Sequence, residues 1–193
     1  GELGAGEVCA QGRPPCVASH TVTRASRSCS SEELLELDRD MCFRPAAPQT
    51  PRVLSIERLE AYNRDGYCCP LDCFDANEIA VYRSGFDKLL EATLADGADS
   101  LSVVDPHLRH AWMYDLIFEP RLVDCVTDLI GEDIACWGTH YFCKLPHEPK
   151  QVAWHQDAFY WPFEKARTVT VWLAIDDADR ANGCMQVVAG SHL

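Results

Sequence analysis

Two side chains that can bind a metal ion, His155 and Asp157, stand two positions apart in the chain. In an extended segment, side chains at this spacing point to the same face. A histidine and a carboxylate on one face, completed by a second histidine from elsewhere in the chain, form the facial triad that holds non-haem Fe(II) and leaves positions open for substrates. The spacing therefore predicts a metal site suited to oxygen chemistry.

A lone His-x-Asp pair also occurs on surface turns, so the neighbouring segments are needed to tell a metal site from such a turn. Residues 168–175, TVTVWLAI, are apolar and rich in β-branched types, which predicts a strand buried on both faces. Residues 176–183 end in Asn-Gly, a dipeptide typical of hairpin turns, and residues 184–188 predict a second short strand. Residues 134–144 predict another strand, which would carry His140 beside the strand of His155 and place the metal site within a sheet.

Helices are predicted ahead of these strands. Ser55 is a suitable N-cap for a helix that ends at Gly66, before a short strand-like segment at residues 67–71. The sequence DANE at residues 75–78 has the form of a capping box and begins a long amphipathic helix. Pro120 and Gly131 bracket another amphipathic helix. Helices followed by strands favour an α+β fold with the helices packed on the sheet.

The order of these motifs resembles the phytanoyl-CoA dioxygenase family of Fe(II)- and 2-oxoglutarate-dependent oxygenases. The resemblance rests on WHQDAFYWPF, at residues 154–163, followed by TVTVWLAIDDADRANGCMQVVAGSH, at residues 168–192. Weaker matches extend it upstream to about residue 54. The whole ordered series is far more specific than the His-x-Asp pair alone.

The resemblance implies a fold, cofactors and roles for several residues. The fold would be α+β, with amino-terminal helices packed on a double-stranded β-helix, a cupin-like jelly roll. His155 and Asp157 would be iron ligands, whereas His140 and Trp172 would line the 2-oxoglutarate pocket. The carboxylate of Asp157 implies hydroxylation, because related halogenases have a small residue there and bind chloride.

Three further residues are candidates from their positions around the pair. Lys144 could meet an anionic ligand such as 2-oxoglutarate, or it could be a solvated strand end. Tyr160 and Trp161 could pack a substrate, or they could be ordinary core aromatics. All three are therefore carried forward as candidate cofactor-binding and substrate-binding residues.

In the family pattern, the second iron-binding histidine and the arginine that grips 2-oxoglutarate come after the Gly-Ser-His segment, whereas this sequence ends at Leu193. His192 is an alternative third ligand. We expect the sequence to be a fragment that lacks the carboxy-terminal part of the jelly roll, binds iron poorly and is inactive by itself. Residues 1–50 are expected to be a disordered leader, and residues 51–193 the amino-terminal and central part of the dioxygenase domain.

Composition restricts the partners. The formal net charge is −13 over 193 residues, which argues against nucleic acid, since phosphate binding relies on clustered Lys and Arg. No apolar run approaches the roughly 20 residues that span a bilayer, so the sequence favours a cytoplasmic protein. The oligomeric state is left open.

The sequence thus favours a dioxygenase that uses Fe(II), 2-oxoglutarate and molecular oxygen to hydroxylate an unactivated carbon of a small-molecule or acyl substrate. One alternative is a truncated or degenerate, non-catalytic binding module of the same fold. A Zn-dependent hydrolase is a weaker alternative, because no further His, Cys or carboxylate set with catalytic zinc spacing lies near His155.

Overall fold

A computed structural model describes residues 31–165 and 167–193. Along these residues the regular structure is helical. Five α-helices occur there, in the order α1 (Ser31–Glu36), α2 (Ile56–Asp65), α3 (Ala76–Ala95), α4 (Ala111–Ile117) and α5 (Pro120–Ile130). Two 3-10 helices, Pro106–Leu108 and Asp157–Tyr160, complete the set. None of these described helices is both long and apolar enough to cross a lipid bilayer.

Helix α2 begins and ends where its sequence predicts. Ser55 is extended, and its side chain accepts a hydrogen bond from the backbone N–H of Arg58 at 3.3 Å. Gly66 ends the helix with a φ of 84°, in the left-handed region that favours glycine, and its N–H donates to the Tyr62 oxygen at 2.8 Å. The helix buries Leu59 and Tyr62.

Helix α3 has the capping box that its sequence predicts. The Asp75 carboxylate accepts hydrogen bonds from the backbone of Asn77 and Glu78, and the Glu78 carboxylate accepts one from the N–H of Asp75. Phe86 is buried on the inner face of the helix, whereas Val81 lies on the outer face and is 70% exposed. The amphipathic helix is thus confirmed.

Helix α5 has Pro120 in its first turn and Gly131 just past its end, as predicted. It buries Asp128, whose carboxylate accepts three backbone hydrogen bonds from a segment far away in sequence. The donors are the N–H groups of Arg52, Val53 and Leu54, at 2.7, 2.9 and 2.9 Å. Burial alone would raise the pKa of Asp128, but these donors more than offset it and lower the pKa below its usual range.

The principal buried cluster joins the segment ahead of α2 to the helices. Ala46, Leu54, Leu59 and Tyr62 form its centre. The partly buried residues packed on this centre are Phe43, Cys68, Leu71, Cys125 and Leu129. The sequence predicts a disordered leader over residues 1–50. In residues 31–50 the structure instead contains helix α1 and the buried side chains of Leu34 and Ala46. The prediction for residues 1–30 lies outside the described residues.

The strand predictions are not met. In residues 31–165 and 167–193 the only β-type pairings are two isolated bridges, Asp40 with Lys165 (parallel) and Val104 with His140 (antiparallel). Residues 67–71, 134–144, 168–175 and 184–188 form no strand. The expectation that residues 168–175 are buried on both faces is wrong, since Val171 and Trp172 are 48% and 44% exposed. A strand requires a neighbour to accept and donate its backbone hydrogen bonds, and no described segment does so here.

Candidate metal centre

The structure brings His155 and Asp157 together at the start of a tight turn. Gln156 between them is extended, with φ −119° and ψ 126°, and a 3-10 helix, the site turn (Asp157–Tyr160), begins directly after it. Nε2 of His155 lies 3.1 Å from Oδ1 of Asp157. Both side chains are partly exposed, at 31% and 39%. The pair can therefore be reached from solvent.

The ring of His155 is oriented by its own backbone. Its Nδ1 lies 2.7 Å from the carbonyl oxygen of Ala153, which can only accept a hydrogen bond. A proton on Nδ1 leaves the lone pair of the neutral ring on Nε2, the nitrogen that faces Asp157. Metal-binding histidines are commonly oriented by such a hydrogen bond from their second nitrogen. The donor types and this orientation suit a divalent metal ion.

Thr170 orients the carboxylate of Asp157. Its hydroxyl donates to Oδ2 of Asp157 at 2.6 Å, while Oδ1 faces the imidazole. Thr170 is not among the site residues that the sequence predicts. Its hydroxyl, two residues ahead of Trp172, is a weak signal, because Thr168 in the same run has one too.

The two aromatic candidates differ in their relation to the pair. The ring of Tyr160 lies edge-on to that of His155, with centroids 5.8 Å apart, and Tyr160 is 57% exposed. Trp161 is half-buried and packs on Phe163, with ring centroids 6.0 Å apart. Tyr160 is therefore the aromatic side chain that lies directly against the proposed ligands.

Two of the three candidate cofactor residues, His140 and Lys144, form hydrogen bonds away from the pair, whereas Trp172 is 44% exposed. Nε2 of His140 lies 2.6 Å from the backbone oxygen of Leu101, and the ammonium of Lys144 donates to the backbone oxygen of Gly183 at 2.6 Å. His140 is exposed and pairs with Val104. The expectation that a strand carrying His140 lies beside one carrying His155, with the site inside a sheet, is not met in the described structure. The reason is the lack of a backbone ladder to join these segments.

No third metal-binding side chain joins the pair within the described part of the chain, where no group of three or more His, Cys, Asp or Glu is arranged to hold a metal ion. His192, the alternative third ligand, packs against helix α2 instead. Its Nε2 lies 3.1 Å from the backbone oxygen of Asn63, its Nδ1 is buried without a hydrogen-bond partner, and its ring meets Phe43 edge-on.

Comparison with known proteins identifies the family. The family model described as phytanoyl-CoA dioxygenase matches residues 62–193, more than half of the chain. The chain belongs to the phytanoyl-CoA dioxygenase family. The family has a cupin-like jelly-roll fold, although the described residues contain almost no paired strand. Membership confirms the resemblance on which the sequence analysis rests.

Individual relatives are distant and longer. A probable phytanoyl-CoA dioxygenase of Caenorhabditis elegans is 26% identical over 166 residues, which cover 72% of this chain and 53% of the relative. An ectoine dioxygenase of Sphingopyxis alaskensis is 25% identical over 153 residues, with coverages of 72% and 50%. The peroxisomal phytanoyl-CoA dioxygenase of Rattus norvegicus is 21% identical, with coverages of 72% and 48%. The chain thus spans about half the length of these curated relatives. No solved structure matches it significantly.

Proposed function

We propose that the protein is an Fe(II)- and 2-oxoglutarate-dependent dioxygenase that hydroxylates an unactivated carbon of a small-molecule or acyl substrate. The observation that carries the proposal is the His155–Asp157 pair, oriented by Ala153 and Thr170 in a chain of the phytanoyl-CoA dioxygenase family. An imidazole nitrogen and a carboxylate on one face are two of the three donors that such a centre needs. In the described part of the chain no third such side chain lies beside them.

In this proposal His155 would hold iron through Nε2, and Asp157 would hold it through its carboxylate. Bound iron with 2-oxoglutarate and molecular oxygen supplies the oxidising chemistry that breaks an unactivated C–H bond. The chain's own task is to hold the two donors in place. The Ala153 carbonyl fixes the ring through Nδ1, and the Thr170 hydroxyl fixes the carboxylate through Oδ2. The carboxylate of Asp157 would also take the place that a halide needs at such a centre, which favours hydroxylation.

We assign the remaining candidates within the same proposal. His140, Trp172 and Lys144 would bind 2-oxoglutarate, and an anionic ligand would compete with the Gly183 carbonyl for the ammonium of Lys144. Tyr160 and Trp161 would pack against the substrate, Tyr160 from its position beside the His155 ring. A cytoplasmic location and the absence of a nucleic-acid partner stay predictions from the sequence.

The proposal is tested by anaerobic titration of Fe(II) and 2-oxoglutarate into the full protein, with the visible metal-to-ligand charge-transfer band of the chelate as readout. We expect the band in the unaltered protein and its loss in Asp157→Ala. Asp177→Ala is the matched control, because this exposed aspartate lies in the turn beyond residue 175, and it should keep the band.

No band in a folded, unaltered protein would contradict the proposal and favour the non-catalytic binding module. A band that survives in Asp157→Ala would contradict the assignment of Asp157.

A further inference from the structure

Arg39 reaches the site turn from a distant part of the sequence. Its Nη1 lies 3.4, 3.3 and 3.0 Å from the backbone oxygens of Ala158, Phe159 and Trp161. Carbonyl oxygens at the carboxy-terminal end of a helix are the ones that lack donors within the helix, and cationic side chains satisfy them there. Arg39 therefore binds the end of the turn whose first residue is Asp157.

Residues 37–44, the amino-terminal arm, are themselves held on this segment. The N–H of Asp40 donates to the Glu164 oxygen at 2.8 Å, and Asp40 forms the parallel bridge with Lys165. The Asp40 carboxylate accepts a hydrogen bond from the N–H of Cys42 at 3.0 Å and pairs with Arg44. Helix α1, just ahead of the arm, packs against the site turn. Arg39 thus projects from an anchored backbone.

The metal-binding pair is also held from its other side. The side-chain amide of Gln156, between His155 and Asp157, donates to the backbone oxygen of Ser191 at 2.7 Å. The next residue, His192, packs edge-on against Phe43 of the amino-terminal arm, with ring centroids 4.3 Å apart. The amino-terminal arm consequently contacts the site turn through Arg39 and the segment bound by Gln156 through Phe43.

We propose that Arg39 is a positioning residue that holds the site turn so that Asp157 faces His155 before a metal ion binds. The proposal rests on the proposed function for the metal-binding role of His155 and Asp157, whereas the hold of Arg39 on the site turn stands on its own contacts. Holding the turn in advance removes an ordering cost that metal binding would otherwise meet. Arg39 lies ahead of residues 62–193, the part that the family model matches, so the family match does not supply this role.

The test compares Arg39→Ala and Arg39→Lys with Arg58→Ala in the full protein. Arg58 is a matched control, because its Nη1 also binds a backbone oxygen, that of Pro70 at 2.8 Å, away from the site. The first readout is amide hydrogen exchange at Phe159 and Phe163, whose N–H groups donate to Gln156 and Trp161. We expect exchange about tenfold faster in Arg39→Ala, as for the loss of one charge-assisted hydrogen bond, with helices α2, α3 and α5 unchanged.

A single nitrogen of Arg39 makes all three contacts, so the ammonium of Arg39→Lys should restore part of the protection. The second readout is the affinity for Fe(II) alone under anaerobic conditions, which should fall in Arg39→Ala and partly recover in Arg39→Lys. A role confined to overall stability would instead raise exchange in the helices as well. If Arg39→Ala does not fold, the amide exchange and Fe(II) affinity of Arg39→Lys still test the proposal.

Exchange at Phe159 and Phe163 that is no faster in Arg39→Ala than in Arg58→Ala would overturn the positioning role. Unchanged Fe(II) affinity in an Arg39→Ala variant whose turn is loosened would also overturn it. Faster exchange together with no Fe(II) binding by the unaltered protein would support the hold of Arg39 on the turn and would contradict the proposed function instead.

Discussion

The helical region, residues 56–130, and the carboxy-terminal region, residues 134–193, both contain many apolar residues, but the two regions form different structures from them. The first forms helices α2 to α5, and the second, over its described residues, forms one 3-10 helix and isolated bridges. A helix satisfies its backbone within four residues, whereas a strand depends on a partner elsewhere. The difference shows how far local sequence can specify structure.

Burial follows the same division. Leu59 and Phe86 of the helical region are each 4% exposed, whereas Trp154, Met185 and Val188 of the carboxy-terminal region are 69%, 56% and 54% exposed. The proposed metal-binding pair, His155 and Asp157, lies in the less packed region. The polar contacts around it join Thr170 to Asp157, Gln156 to the backbone of Ser191, and Arg39 to the site turn.

Hydrogen exchange should show the largest contrast between the regions. Amides in the middle of helix α3 should exchange at least about 1,000-fold more slowly than those of residues 168–175, because only the helix has regular backbone hydrogen bonds. Mass spectrometry of hydrogen exchange in residues 1–193 tests this difference between helix α3 and residues 168–175. Equal protection of the two segments would show that residues 168–175 are paired in solution.

Asp128→Ala should cause the largest loss of stability. It removes the acceptor of three backbone N–H groups that join residues 52–54 to helix α5, at a residue that is 2% exposed. We expect the free energy of unfolding to fall by about 3 kcal/mol or more. Asp124→Ala, which removes a surface pair with Arg52, is the control and should cost less than about 1 kcal/mol. If urea denaturation gives similar losses of unfolding free energy for Asp128→Ala and Asp124→Ala, the buried carboxylate has no special role.

Gly66→Ala tests the contact between the two regions. A Cβ at Gly66 would lie 2.5 Å from Nδ1 of His192, and φ there is +84°. Gly97→Ala is the matched control, because φ is +75° and no atom lies within 4 Å of its Cβ. We expect a loss of about 1 kcal/mol for the control, from backbone strain, and about 1 to 2 kcal/mol more for Gly66→Ala. Equal thermal shifts would mean that the carboxy-terminal turn does not rest on α2.

Thr170→Val tests the support of the proposed metal ligand with little change of shape. Loss of the 2.6 Å hydrogen bond to Asp157 should weaken Fe(II) binding about tenfold, the lower end of the range for residues that orient metal ligands. Thr168→Val, two positions earlier, is the control. If Thr170→Val and Thr168→Val bind Fe(II) equally, Thr170 does not orient the carboxylate.

The smallest effect is expected on the exposed capping box of α3. The pKa of Glu78 is lowered from its ordinary value of 4.5 to about 2. The hydrogen bond from Arg121 is the larger cause, and the hydrogen bond from the N–H of Asp75 is the next. Because the folded-state pKa is lowered, the contribution of Glu78 to stability is present above pH 4.5 and is lost as the pH falls toward about 2. An NMR titration of the Glu78 carboxyl checks the value, and Glu78→Gln should flatten this part of the pH dependence of stability. A titration midpoint of Glu78 near 4.5 would contradict the lowered pKa.

The sequence by itself determined the family and most of the boundaries of helices α2, α3 and α5, but not helices α1 and α4. Ser55, Asp75 and Pro120 mark helix starts, and Gly66 and Gly131 mark helix ends, because capping and left-handed backbone are properties of a few adjacent residues. The proximity of His155 and Asp157 is equally local, since only one residue separates them.

Only the tertiary structure decided how distant segments meet. The predicted strands at residues 134–144, 168–175 and 184–188 had the right composition, but composition does not supply a partner for their backbone groups. In the same way, nothing local indicates that Arg39 reaches the oxygen of Trp161, 122 positions away, or that Thr170 binds Asp157. Such contacts depend on chain paths that residues far apart define jointly, which is why the capped ends of α2, α3 and α5 were predictable and the contacts around the proposed metal site were not.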